Sequence, residues 1–186
     1  LFTSTSITRD AKRAVYEGLV LAILLYGCES WCLTEVLWQR LRVFHAQCVR
    51  SMSRVTRKHT REHHLSTQAL EQEMGLDTID VYVDRRRLRW LGHVSRMDFD
   101  RLPRMMLSSW ITAPRPAGAP QMTYGRSICK ALAKFNVPID VWPELAADRA
   151  AWRETLQRGF PPASFQPSAK PLALQPLALT RPRRAA

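Results

Sequence analysis

Apolar residues recur at three- and four-residue steps along most of the chain, the spacing that gathers side chains on one side of a helix. Ala11, Val15, Leu19, Ala22 and Tyr26 predict a helix over 8–26, with Gly27 placed to end it. Thr34 caps a second predicted helix running to about Met52, with a stripe of Leu37, Leu41, Phe44, Cys48 and Met52 and with Arg40, Arg42, Arg50 and Arg54 around it. Residues 53–64 are polar, basic and aperiodic and read as an exposed loop. Ser66 caps a short helix ending at Gly75, and Asp77 caps a longer one over roughly 78–97.

That last helix carries the most information. On a 100° wheel, Ile79, Val83, Trp90, Val94 and Met97 share one arc, and Arg85, Arg86, Arg89, His93 and Arg96 fill the next. Arg87 sits at the apolar edge and is expected to snorkel. Thr78–Val83 is also β-prone, so a short strand stands as the other reading of this segment.

Further along, 112–120 is Pro-rich and reads as a linker. Ile128, Leu132 and Phe135 form another stripe, broken by Asn136 and Pro138, and a last helix begins near Asp140 or Trp142 with Leu145, Trp152 and Leu156 on its apolar side. From Gly159 the chain is rich in Pro, Ala and Gln, repeats Pro171-Leu-Ala-Leu174 as Pro176-Leu-Ala-Leu179, and closes on Arg181-Pro-Arg-Arg184. This tail is expected to be disordered. The predicted class is all-α: two small helical units joined by the Pro-rich linker, then the tail.

Composition narrows the function. Of 186 residues, 28 are Lys or Arg and 16 are Asp or Glu, a net charge of +12 that favours polyanionic partners. The longest apolar stretch, Gly18–Tyr26, is about half of what a bilayer crossing needs, so no membrane partner is expected. No secretory leader opens the chain, and four scattered Cys suit a reducing compartment. Residue 1 is Leu, which suggests a piece of a longer protein.

Four segments occur in order: Leu25-Tyr-Gly-Cys-Glu-Ser-Trp31, Arg40-Leu-Arg-Val-Phe-His-Ala-Gln-Cys-Val-Arg50, Arg87-Leu-Arg-Trp-Leu-Gly-His-Val-Ser-Arg-Met97 and Trp142-Pro-Glu-Leu-Ala-Ala-Asp-Arg-Ala-Ala-Trp-Arg153. Together they resemble the region that follows the polymerase core in non-LTR (LINE-like) retrotransposon endonuclease–reverse transcriptase polyproteins, over about residues 7–157. The resemblance implies a thumb-like helical end of the reverse transcriptase, at 1–60, followed by a helical C-terminal extension. With the residue pattern, the expected division beyond it is a basic helical extension at 65–111, a linker at 112–122, a C-terminal helical pair at 123–158 and a tail at 159–186. The resemblance also implies a nuclear or cytoplasmic setting for the parent protein. One motif departs: the family's Gly-Arg-Pro element followed by Trp is here Gly118-Ala-Pro-Gln-Met-Thr-Tyr124, without the guanidinium.

Nucleotide polymerisation needs clustered carboxylates to hold two Mg²⁺ ions. The chain has no Asp-Asp pair, and Asp98 and Asp100 read as solvated turn residues, so no catalytic residue is expected. Cys28, Cys32, His45 and Cys48 have donor types that suit zinc, but their spacing is that of neither a knuckle nor a finger. They read as core or partly exposed side chains, and no metal or other cofactor is expected. His59, His63 and His64 fall in the predicted loop.

Basic residues remain. Between Arg85 and Arg104 seven arginines face two aspartates, and guanidinium forks suit phosphate oxygens. Arg85, Arg86, Arg89, His93, Arg96, Arg101 and Arg104 are therefore the candidate nucleic-acid-binding set. Trp90 reads as core, with stacking on a base as the alternative. Arg149 and Arg153, beside Asp148, read as ion-pair partners. The expectation is a catalytically incomplete fragment that binds RNA or an RNA–DNA hybrid through the helix at 78–97, whose apolar side packs on the helix at 35–52. The rival is a structural module that packs on the missing polymerase core, or a degenerate remnant of it, exposing Leu21, Leu24 and Leu25 when alone.

Overall fold

The computed structural model describes residues 2, 4, 6–108 and 124–158. The predicted linker at 112–122, the predicted tail at 159–186 and most of the 118–124 motif lie outside the described residues. Those described form helices and no strand, so the all-α expectation holds and Thr78–Val83 belongs to a helix. The chain divides into two compact units, Leu1–Val83 and Asp84–Ala186. The division falls inside the helix that the sequence pattern assigns whole to 65–111.

Unit 1 begins with α1 (Arg9–Val15), a π-helical segment (Tyr16–Val20) and α2 (Leu21–Leu24). Thr8 caps α1, its Oγ1 accepting from the Ala11 N–H at 3.3 Å. The predicted stripe of this region is wrong. Leu19 and Tyr26 are 60% and 86% exposed, whereas Lys12, Tyr16, Leu21, Leu25 and Cys28 are buried. Before Tyr16 the inward position is taken by Lys12, which an apolar stripe does not select, and beyond it the register is shifted by the π segment, in which the Leu21 N–H bonds to the Tyr16 carbonyl five residues back. Core positions therefore step by four, then five, then four, and a uniform wheel selects the wrong side. Gly27, at φ +68°, takes the left-handed conformation expected of a terminating glycine.

A 3₁₀ turn (Cys28–Ser30) leads to α3 (Glu35–Ser53). Here too the stripe is shifted: His45, Val49 and Met52 are buried, Leu41 and Cys48 half-buried, and Leu37 and Phe44 exposed. The predicted loop at 53–64 contains α4 (Arg57–Glu62), capped by Thr56 Oγ1 on the His59 N–H. It has no buried residue and hence no stripe to betray it. Ser66 caps α5 (Thr67–Glu73) as expected, and Gly75 ends it at φ +65°.

Tyr16, Leu21, Leu25, Cys28, Val49, Met52, Leu70, Met74, Leu76, Ile79 and Val83 form one core. Polar groups are tied into it. Tyr16 Oη lies 2.7 Å from His45 Nδ1, and Tyr82 Oη donates to Glu17 at 2.6 Å. Lys12, buried, donates to the Met52 carbonyl in the last turn of α3, and burial followed by Arg54 and Arg9 pushes its pKa down. Arg42 holds Asp80 with two bonds at 2.7 and 2.9 Å, joining α3 to the start of α6 (Ile79–Ser95). The expected packing of Ile79 and Val83 beside α3 is present, whereas Val94 belongs to unit 2.

Unit 2 holds the rest of α6, then α7 (Leu102–Ser108), α8 (Tyr124–Lys134), α9 (Trp142–Ala147) and α10 (Arg149–Arg158). Ile128, Leu132 and Phe135 are buried as predicted, and Asn136 ends that stripe at φ +54°. The single last helix is instead a pair, because Asp148 is extended and its carboxylate accepts from the Ala150 N–H at 2.8 Å, starting α10 afresh.

Candidate nucleic-acid interface

Within unit 2, α6 is buried over more of its circumference than the helical wheel implies. Leu88, Leu91 and Val94 are fully buried. So are Asp84 and Arg87, 3.2 Å apart, and Lys134 reaches the other Asp84 oxygen at 2.6 Å. Arg87 is therefore not a snorkelling side chain. At 3% exposure it is a buried charge that needs Asp84. Trp90 is half-buried and meets Tyr124 edge-on, ring centroids 6.0 Å apart.

The third and fourth family-like segments pack on each other. Trp152 of α10 donates from its indole N–H to the Leu88 carbonyl at 3.0 Å. It lies so close to Gly92 that a Cβ there would run into the indole. Glycine is the residue that permits this approach, although it weakens an isolated helix by about 1 kcal/mol relative to Ala.

The seven predicted contact residues separate into two groups. Arg96 donates to the Ala146 carbonyl at the end of α9, and Arg85 to the Leu156 carbonyl in the last turns of α10 at 3.2 Å. Helix C-termini leave carbonyls without intrahelical donors and carry partial negative charge, so a guanidinium satisfies both. Arg104 is buried, 4.8 Å over the Phe99 ring. Arg85, Arg96 and Arg104, three of the candidate contact residues, are each engaged within the fold. Arg86 is half-buried, and Arg89, His93 and Arg101 are exposed.

Around Arg89 the field is positive. Desolvation lowers its pKa, and Arg85, Arg86 and Arg153 lower it further by repulsion. Arg149 acts in the same direction on Arg96, after desolvation. Arg149 and Arg153 are exposed and have no carboxylate partner among the described residues. The ion pairs expected beside Asp148 are thus replaced by a face on which α10 adds two guanidiniums to those of α6. The sequence does carry a signal for this, since 149 and 153 are one helical turn apart. The adjacent Asp148 obscures it by suggesting a pair.

The candidate zinc residues do not converge. Among the described residues no group of three or more His, Cys, Asp and Glu is placed to hold a metal ion. His45 is buried beside Tyr16, Cys28 is in the core and Cys32 is exposed. No described helix is long and apolar enough to cross a membrane.

The chain matches no known family model and no solved structure. It is similar to an uncharacterized transposon-derived protein of Caenorhabditis elegans, 27% identical over 164 residues, which cover 84% of this chain and 58% of the relative. The chain thus spans less than two thirds of that protein. The similarity points to a transposon origin.

Proposed function

We propose that this chain is a non-catalytic, C-terminal portion of a LINE-like reverse transcriptase that grips the backbone of RNA or of an RNA–DNA hybrid with the α6–α10 face of unit 2. Arg86, Arg89, His93, Arg149 and Arg153 are its contact residues, with Arg101 at the start of the following turn. The observation that carries the reading is the concentration of guanidiniums around Arg89, whose pKa is lowered first by desolvation and then by repulsion from Arg85, Arg86 and Arg153. Phosphates relieve such repulsion and release counterions as they do so, which makes binding salt-dependent. Base-reading is not part of the proposal, because these groups suit phosphate oxygens and specify no sequence. The similarity to a transposon-derived protein supports the origin, and the four ordered segments support the reverse transcriptase parentage.

The test is filter binding of a mixed-sequence RNA to the Arg89→Glu/Arg153→Glu variant, both positions being exposed. Wild-type chain is expected to bind with affinity falling steeply in salt, and the variant to lose at least tenfold at 50–100 mM salt, roughly the effect of reversing two phosphate contacts. Equal affinity overturns the proposal. Arg96 is a poor choice for this purpose, since its removal would free the end of α9.

A second reading rests on a different observation. Unit 1 exposes Leu19, Ile23 and Tyr26, and on α3 Val36, Leu37 and Phe44, which suits a module that packs against a polymerase core. Leu21 and Leu25, expected among these, are buried instead. Sedimentation of the chain decides: concentration-dependent self-association without RNA binding supports packing, and a salt-sensitive RNA complex of a monomer supports the first reading.

A further inference from the structure

Unit 1 contains an open cavity of about 670 Å³ bounded by α3, α5 and the start of α6, within the size range of small-molecule sites. Its wall mixes apolar side chains, Val43, Ala46 and Ile79, with polar ones. At the rim are Arg50 and Arg57, neither of which has a carboxylate partner among the described residues. Arg42 also lines it, but Asp80 and Glu35 already neutralise that guanidinium. Deeper in are His45 and Glu71, 1% and 6% exposed.

His45 is the telling residue. Its Nδ1 is occupied by the Tyr16 hydroxyl, whereas Nε2 has no hydrogen-bond partner among the described residues. Glu71 Oε1 lies 3.3 Å away, but out of line for a bond. A buried ring nitrogen without a partner is destabilising, and a bound polar group would relieve that. Thr67 and Gln68 add a hydroxyl and an amide.

We propose that this cavity binds a phosphate monoester of nucleotide size, with the phosphate between Arg50 and Arg57 and the organic part reaching towards His45, Glu71 and Gln68. The charge distribution selects this class. Two unneutralised guanidiniums suit a dianionic phosphate. A carboxylate deeper in repels a second anion and accepts from a hydroxyl or amine. The site is separate from the α6–α10 face and does not rest on that assignment. The same phosphate monoester can arrive as a free nucleotide or as the 5′ end of a strand, and the experiment separates the two.

Isothermal titration of the full chain with uridine 5′-monophosphate, uridine and inorganic phosphate forms the first arm. The monophosphate is expected to bind at least tenfold tighter than either of the others. Arg50→Ala/Arg57→Ala should weaken it about a hundredfold, about tenfold for each charge-assisted hydrogen bond removed. Because Arg50 is half-buried, the single variant Arg57→Ala, at an exposed position, serves as the control for folding and should weaken binding about tenfold. The second arm compares 5′-phosphorylated with 5′-hydroxyl oligonucleotides in an Arg89→Glu/Arg153→Glu background, which removes the unit 2 face from the measurement. Preference for the 5′-phosphate, abolished by Arg57→Ala, identifies a strand end as the source. If both arms show no preference for the phosphate monoester, or if the Arg57→Ala chain binds as wild type does, the proposal fails.

Discussion

The two units bury polar groups of different chemistry. In unit 1 they are phenols, an imidazole and carboxylates: Tyr16 on His45, Tyr82 on Glu17, His45 beside Glu71. In unit 2 they are mostly cations, with Asp84 holding Arg87 and Lys134 while Arg85 and Arg96 close helix ends. One device is common to both, since Lys12 serves the last turn of α3 as Arg96 serves α9. The exteriors are mixed in both: unit 1 exposes Ile23 and Tyr26 beside Arg40, Arg57 and Arg61, and unit 2 exposes Leu102 and Met106 beside Arg89, Arg149 and Arg153. A net charge of +12 is therefore no measure of binding surface, because part of it is committed inside the fold.

The comparison can be broken most forcefully at Asp84. Asp84→Ala removes the carboxylate that buried Arg87 and Lys134 share, and a loss of about 3–5 kcal/mol in urea unfolding is expected. A loss below about 1 kcal/mol would mean that unit 2 does not depend on its internal charges. Gly92→Ala comes next. Helix propensity alone argues for a gain of about 1 kcal/mol, but the displaced indole makes a net loss of about 1–3 kcal/mol the expected outcome, with a shift in Trp152 fluorescence.

Tyr16→Phe probes the other unit and should cost about 1–2 kcal/mol, as His45 Nδ1 loses its buried partner. The same phenols give unit 1 a pH dependence. Burial is the first cause that raises the pKa of both Tyr16 and Tyr82, followed for Tyr82 by its bond to Glu17. The folded unit therefore keeps protons that the unfolded chain releases, so this stability is intact below about pH 10 and declines as pH rises above it. Thermal unfolding from about pH 8 to about pH 11 checks this, and Tyr16→Phe should blunt the decline. The smallest effect is on thiols. Burial raises the pKa of Cys48 and Cys129, so maleimide should modify exposed Cys32 first.

Much of the fold is legible in the sequence because helix caps and terminating glycines act locally: Gly27, Ser66 and Gly75 do what their positions announce. Periodicity fails where its assumptions do. Tyr16–Val20 is not 3.6-periodic, α4 buries nothing, and α3 turns a histidine, not Phe44, inward. For the candidate interface, the sequence places the arginines on one side of α6 but not the carbonyls that Arg85 and Arg96 meet. Those acceptors are 71 and 50 residues away along the chain. Arg153 escapes a sequence reading for the same reason, as its neighbours are arginines of another helix.

The widened turn at Tyr16–Val20 has a consequence for how this segment tolerates length change. Gly18 lies within it, exposed, with nothing near its Cα for a side chain to strike. Excising Gly18 would shorten the five-step between Tyr16 and Leu21 to four and leave the inward-facing positions in a uniform helical series. A one-codon loss between Lys12 and Tyr16 or between Leu21 and Leu25 would instead rotate half of those positions towards water. The first helical stretch of unit 1 thus has one short segment, between Tyr16 and Leu21, where a deletion heals, flanked by two where it harms.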